Sequence, residues 1–212
     1  MSIASGPNGR PGFQHFLQAD PKAILGRFRD PLYKNSLLII CDFAVTSGLG
    51  LVFWLIVTRN YSAVDVGYGS ATISAISFLT TVSLIGVDQT LLRFLPQSEK
   101  PREMINSYLT LSSIISVAAA AVFLIGIDIW SPPLSFIKRH GVFILAFIIF
   151  TFVNTMSNIT RYVFLARRRP DLTLLIDTFQ SLLKIPLAVV LVAFFHSFGI
   201  ASAWGITLAI GV

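Results

Sequence analysis

The chain has 212 residues, of which 54% are hydrophobic and 12% charged, about half the roughly 25% charge of an ordinary soluble domain. A mean hydropathy of +0.76, with no Pro/Gly/Ser-rich or acidic tract, excludes a disordered or secreted chain and leaves little room for a soluble one. The formal net charge of +6 therefore has to be explained within a helical membrane protein.

An uncharged run of about 20 residues crosses about 30 Å of hydrocarbon at 1.5 Å per residue. Five full spans and part of a sixth are predicted on that basis: Leu37 to Thr58, Gly67 to Val87, Tyr108 to Trp130, Val142 to Ala166, Leu172 to Phe195, and Phe198 onward. The last run reaches Val212 after 15 residues without a flanking charge, so the chain is expected to be a fragment whose sixth helix is cut short. The division is then a cytoplasmic N-terminal segment, 1–34, and a transmembrane lobe, 35–212.

Residues 1–34 lack a long apolar stretch followed by a small-residue cleavage site, so they do not read as a cleavable signal peptide. From Ala23 to Lys34, Ile24, Leu25, Phe28 and Leu32 alternate with basic residues, a pattern that fits either a helix on the lipid surface or a plain tail. Arg10, Lys22, Arg27, Arg29 and Lys34 precede the first span; Arg93, Lys100 and Arg102 follow the second; Arg161, Arg167, Arg168 and Arg169 close the fourth. Only Arg59, Lys138 and Arg139 fall on the other side, and by the positive-inside rule the N-terminus is expected in the cytoplasm. Trp54, Trp130 and Trp204 are then placed near the outer surface, where tryptophan is enriched. Topology accounts for the basic charge, and a nucleic-acid partner is not expected.

In lipid, helices approach through small residues and modest hydrogen bonds. Gly67, Ala71 and Ala75 recur every fourth residue on the second span, and Ser112, Ser116 and Ala120 do so on the third. Both stripes read as ordinary bundle packing. Cys41 is the sole cysteine and permits no internal disulfide.

Ionisable groups inside a span are more informative, because each costs roughly 2.5 to 3.5 kcal/mol at the bilayer centre on insertion scales. Lys184 lies halfway along the fifth span, two residues before Pro186, which removes a backbone hydrogen bond and frees the Leu182 carbonyl. A charge beside a kink at the midplane marks a substrate pathway. The alternatives are snorkelling towards the cytosol or a structural pair; Asp177, about 10.5 Å away along the axis, is too far for a direct pair within the helix.

Asn154, Asn158 and Arg161 stand at i, i+4 and i+7 on the fourth span, a polar stripe that should face protein or water. Arg161, near the cytosolic end, is also able to snorkel. Asp42, the only charge inside the first span, is either a cation or proton site or the partner of a lysine or arginine on another helix. Asp88 and Arg93 close the second span, where interfacial anchoring is the default. No metalloprotease, phosphate-loop or dinucleotide motif is present, and His15, His140 and His196 are scattered, so enzymatic activity and a cofactor are not expected.

Certain motifs also carry a resemblance. The stretch from Asn35, NSLLIICDFAVTSGLGLVFWLIVTRNYSAVDVG, resembles the first helix and outer loop of polysaccharide-biosynthesis flippases, the Wzx-type branch of the MATE-like (MOP) exporter superfamily. The segment GVDQTLLRFLPQSEK is similar to the end of that family's second helix, with Asp88, Arg93 and Pro96 in matching places, and SLLKIPLAVVL is similar to its fifth helix, where a lysine matches Lys184. The resemblance runs through residues 35–212. Departures are the pair Arg59 and Asn60, where alanine-arginine is more usual, and Asp42.

The resemblance implies an all-α polytopic bundle, the N-terminal six-helix lobe of a MATE-like exporter in the cytoplasmic membrane. It implies movement of polyprenyl-diphosphate-linked oligosaccharide between leaflets by alternating access, with a glycan polymerase or glycosyltransferases as partners. Lys184 and Arg161 would attract the diphosphate, Asn154 and Asn158 would bond sugar or phosphate oxygens, and Arg93 would guard the cytosolic mouth. Asp42 or Asp177 would bind a coupling proton or sodium ion. Two other classes remain open: a MATE-like multidrug antiporter, which favours an acidic cavity, and a non-transporting scaffold of a glycan-assembly complex.

Overall fold

The structure, a computed structural model, describes residues 31–211, so the predicted interfacial stretch and the basic residues Arg10, Lys22, Arg27 and Arg29 lie outside the described part. Every regular element among the described residues is helical: α1 (Pro31–Asn60), α2 (Ala63–Ser83), α3 (Val87–Phe94) with a 3-10 turn Leu95–Gln97, α4 (Pro101–Trp130), a 3-10 helix Pro132–Arg139, α5 (Gly141–Ala166) and α6 (Pro170–Gly211).

Four stretches are long and apolar enough to cross a membrane: Tyr33–Asn60, Pro101–Trp130, Gly141–Ala166 and Pro170–Leu191. The second predicted span is not one straight helix. The break falls at its end: Ala63–Ser83 and the following Val87–Gln97 meet at 54° and make a fifth crossing only if taken together. The cause is local: Gly86 adopts φ +77°, a left-handed conformation that glycine takes without a Cβ penalty, and the ladder resumes with Thr90 N–H donating to the Gly86 carbonyl. The predicted sixth span is represented by the apolar stretch Phe198–Gly211, about 21 Å at the helical rise.

The final helical run covers 42 residues, about 63 Å if straight, yet its two halves lie side by side. A Cβ built on Gly199 would sit 2.9 Å from the Leu191 carbonyl oxygen, whereas eight residues of straight helix span about 12 Å. Further along, Gly211 lies against the Gln180 side chain. The chain therefore folds back between Leu191 and Phe198, and the two arms run antiparallel.

Three apolar clusters hold the bundle. In the first, Ile76, Phe123, Ile127, Phe147 and Phe198 join α2, α4, α5 and the second arm of α6, with Leu134 and Ile137 of the 3-10 helix buried against them. The rings of Phe123 and Phe147 stack at 5.6 Å, and those of Phe143 and Phe198 at 4.5 Å. In the second, Val87, Leu91 and Leu95 seat the amphipathic α3 on Met156 and Ile159 of α5. In the third, Phe53, Val57 and Tyr61 pack on Ala188, Ile200 and Ala203. Glycine allows the closest approaches: a Cβ on Gly69 would meet Ile200 at 2.8 Å, and Gly205 lies flat against the Phe150 ring.

Beyond α1, Tyr61 fastens the α1–α2 connection to the last run, its phenol donating to the Ala188 carbonyl at 2.8 Å. Burial, with a smaller contribution from the Asp65 charge, pushes the phenol up from 10.0 to about 12. A raised folded-state pKa contributes stability that is complete below pH 10 and is lost as pH rises towards 12. We expect Tyr61→Phe to cost about 1 kcal/mol at neutral pH. Denaturant titrations should show its deficit against the parent protein shrinking between pH 10 and 12.

Candidate functional site

The fifth and sixth helices present their polar side chains to one another, with α1 alongside. On α5 the spacing of Asn154, Asn158 and Arg161 places all three on one face, and all three line a cavity of about 280 Å³. Across it stand Asp177, Gln180 and Lys184 from the first arm of α6, and Trp204 and Thr207 from the second. Of the predicted site residues, Lys184, Arg161, Asn154, Asn158 and Asp177 are thus brought together.

Arg161 organises the site. Its Nη2 donates to Asp42 Oδ2 at 2.7 Å, and its Nη1 lies 2.9 Å from Asp177 Oδ2. The second contact is close in distance but misaligned for a hydrogen bond, since Asp177 Oδ2 has no hydrogen-bond partner by geometry. It is an ion pair held by charge. The Asp42 side chain is only 4% exposed, Asp177 17% and Arg161 45%, so both carboxylates rely on a guanidinium that itself opens onto the cavity. Asp42 thus has an arginine of another helix as its partner. Its Oδ1 is buried without a hydrogen-bond partner.

Lys184 is placed differently. No carboxylate among the described residues lies within the 4.0 Å of an ion pair, and its Nζ sits 5.4 Å from the centroid of the Phe53 ring, where the ring face attracts a cation. Its ammonium is half-buried, turned to the cavity and neutralised by no direct partner. Formally, Arg161 and Lys184 balance Asp42 and Asp177, yet the contacts are uneven: Arg161 pairs with both acids, and Lys184 interacts with Asp177 only across a longer distance.

Asn154 is tied to α2, its Nδ2 donating to Thr80 Oγ1 at 2.9 Å, and Asn158 Nδ2 donates to the Asn154 carbonyl at 2.8 Å. These two amides also line a second cavity, of about 430 Å³, at the break between α2 and α3. Arg93 lines neither cavity; its guanidinium stacks on the adjacent Phe94 ring at 5.4 Å. Sequence reasoning did not single out Gln180, Thr207 or Thr46 as cavity residues. Trp204, which the sequence singles out only as an interfacial residue, lines the cavity with Lys184. Trp204, Thr207 and Leu208 follow the i, i+3, i+4 spacing of a helix face, which is the signal that groups them.

Comparison of the chain with models of known families, with characterised proteins and with solved structures finds no match.

The ion pairs give a direct expectation. Arg161→Ala leaves Asp42 buried without its counter-charge and should destabilise the protein by about 3 kcal/mol, the low end for a broken buried pair because Arg161 is open to the cavity. Adding Asp42→Asn to Arg161→Ala should recover a large part of that loss. A double-mutant cycle on detergent-solubilised protein checks it.

Proposed function

We propose that the chain is the N-terminal lobe of a membrane exporter that carries polyprenyl-diphosphate-linked oligosaccharide from the cytosolic to the outer leaflet of the cytoplasmic membrane. The observation that supports this reading is Lys184: a mid-helix ammonium turned into a cavity lined by amides, hydroxyls, Arg161 and Asp177, with no carboxylate within ion-pair distance of its own Nζ. In a bundle of membrane-crossing length such a group is costly to insert, and an anion repays that cost. Diphosphate oxygens are strong acceptors for charge-assisted hydrogen bonds, and the neighbouring amides of Asn154, Asn158 and Gln180 extend the donor set.

In this proposal the diphosphate meets Lys184 first and then competes with Asp42 and Asp177 for Arg161. The two carboxylates, released from Arg161, are the groups left to take up a coupling proton or sodium ion. Arg93 takes part only as a basic group on the cytosolic approach. The unpaired ammonium at the cavity favours an anionic substrate over the organic cations of a multidrug antiporter.

The test is transport by the complete gene product in cells lacking their own oligosaccharide flippase, with lipid-linked oligosaccharide quantified on each leaflet. We expect Lys184→Ala at normal protein levels to lower outer-leaflet appearance by at least about tenfold, corresponding to the loss of one charge-assisted contact of about 1.5 to 3 kcal/mol. Intact transport by that variant would remove the cavity role, and no transport by the unaltered protein would remove the proposal.

A further inference from the structure

The second cavity differs chemically from the first. It is the larger, about 430 Å³ against 280 Å³, which falls within the range of small-molecule sites. No lysine or arginine lines it. Its polar walls are the hydroxyls of Ser77, Thr80, Thr81 and Tyr162, the carboxylate of Asp88 and the amide of Asn158.

Several of these groups are uncommitted. Within this bundle hydroxyls commonly donate to the carbonyl one turn back, as Thr72, Thr81 and Ser83 do. Ser77 Oγ, the Tyr162 phenol and the Asn158 carbonyl oxygen have no such partner among the described residues, and Asp88 accepts only a long contact of 3.5 Å from Gln89. A wall of free hydroxyl, amide and carboxylate groups, with an aromatic ring and no cation, suits an uncharged molecule rich in hydroxyls and repels an anion. The break at Gly86 makes the space, since a straight helix from Ala63 onward would not turn its later residues away by 54°.

The two cavities share Asn154 and Asn158 as a common wall. We infer that they are adjoining subsites for one substrate, the Lys184 cavity holding an anionic group and the cavity at the α2–α3 break holding an uncharged sugar ring attached to it. This rests on the proposed function for the identity of the anion; the division of labour between the cavities comes from their linings alone. Asp88, which reads as an interfacial anchor in the sequence, becomes a sugar-binding residue.

The experiment measures binding to the complete protein in lipid nanodiscs, with empty nanodiscs subtracted, for two probes: farnesyl diphosphate, and farnesyl diphosphate carrying one N-acetylglucosamine. The unaltered protein should bind the sugar-bearing probe about tenfold more tightly, the yield of one or two buried hydrogen bonds. Asp88→Ala and Tyr162→Phe should each remove most of that preference and leave affinity for the bare probe unchanged, while Lys184→Ala weakens both. If Asp88→Ala fails to fold, Ser77→Ala carries the same test. Equal affinity of the unaltered protein for the two probes, or equal weakening of both by Asp88→Ala, overturns the sugar subsite and leaves Lys184-dependent anion binding standing. Binding of neither probe overturns the subsite together with the reading on which it rests.

Discussion

Two carboxylates on different helices, one buried and one partly so, share one arginine, and the arrangement of the polar half of the bundle depends on that sharing. Asp42 is on α1, Asp177 on α6, and Arg161 on α5 reaches both. Asp42 is buried and Asp177 opens only onto the cavity, and a carboxylate withdrawn from bulk water calls for a counter-charge. The constraint fixes which face of α5 turns inward, and Asn154 and Asn158, on that same face, are carried into the cavity walls. Lys184, two turns beyond Asp177, arrives on the opposite wall. The α1 helix, which packs mainly on α6 and only slightly on α2, is tied to α5 by the Asp42–Arg161 bond.

Around this polar centre the apolar clusters do conventional work. Phenylalanine stacks between α4, α5 and the second arm of α6 set one end of the bundle, and the amphipathic α3 closes another side against Met156 and Ile159. Small residues let the last run double back: Gly199 admits the Tyr61 phenol and the Leu191 carbonyl, and Gly205 admits Phe150. The doubling brings Trp204 and Thr207 across from Lys184, so the cavity is walled by α5, the two arms of α6 and Thr46 of α1. Polar groups therefore face one another across a small volume instead of the outer, apolar surface of the bundle.

Much of this was legible in the residues. The apolar runs gave the helices to within several residues, and the i, i+4, i+7 stripe on α5 and the mid-span Lys184 marked the inward faces. Three features were not legible, for physical reasons. Asp42 and Arg161 are 119 residues apart, and no local periodicity encodes which distant helix supplies a counter-charge. The second span reads as one apolar run because Leu84, Ile85 and Val87 keep it hydrophobic through the break, although the single residue Gly86 turns the chain. The resemblance gives Arg93 a place at the cytosolic mouth, which nothing local in the sequence specifies; in the structure α3 buries its apolar side on α5 and leaves Arg93 beside Phe94. Asp88, on the same short helix, borders the second cavity.

On the proposed reading, the mid-helix polar groups surround a water-filled cavity and do not face lipid. Cys41 is the only cysteine, so a Cys41→Ser background permits a single reporter thiol at each position. In membranes, a water-soluble, charged thiol reagent should modify Lys184→Cys and Asn158→Cys readily, and should leave Ile114→Cys, which is 64% exposed on the outer face of α4, unmodified by virtue of the surrounding lipid. Protection of both cavity positions, or modification of all three at similar rates, would contradict the account.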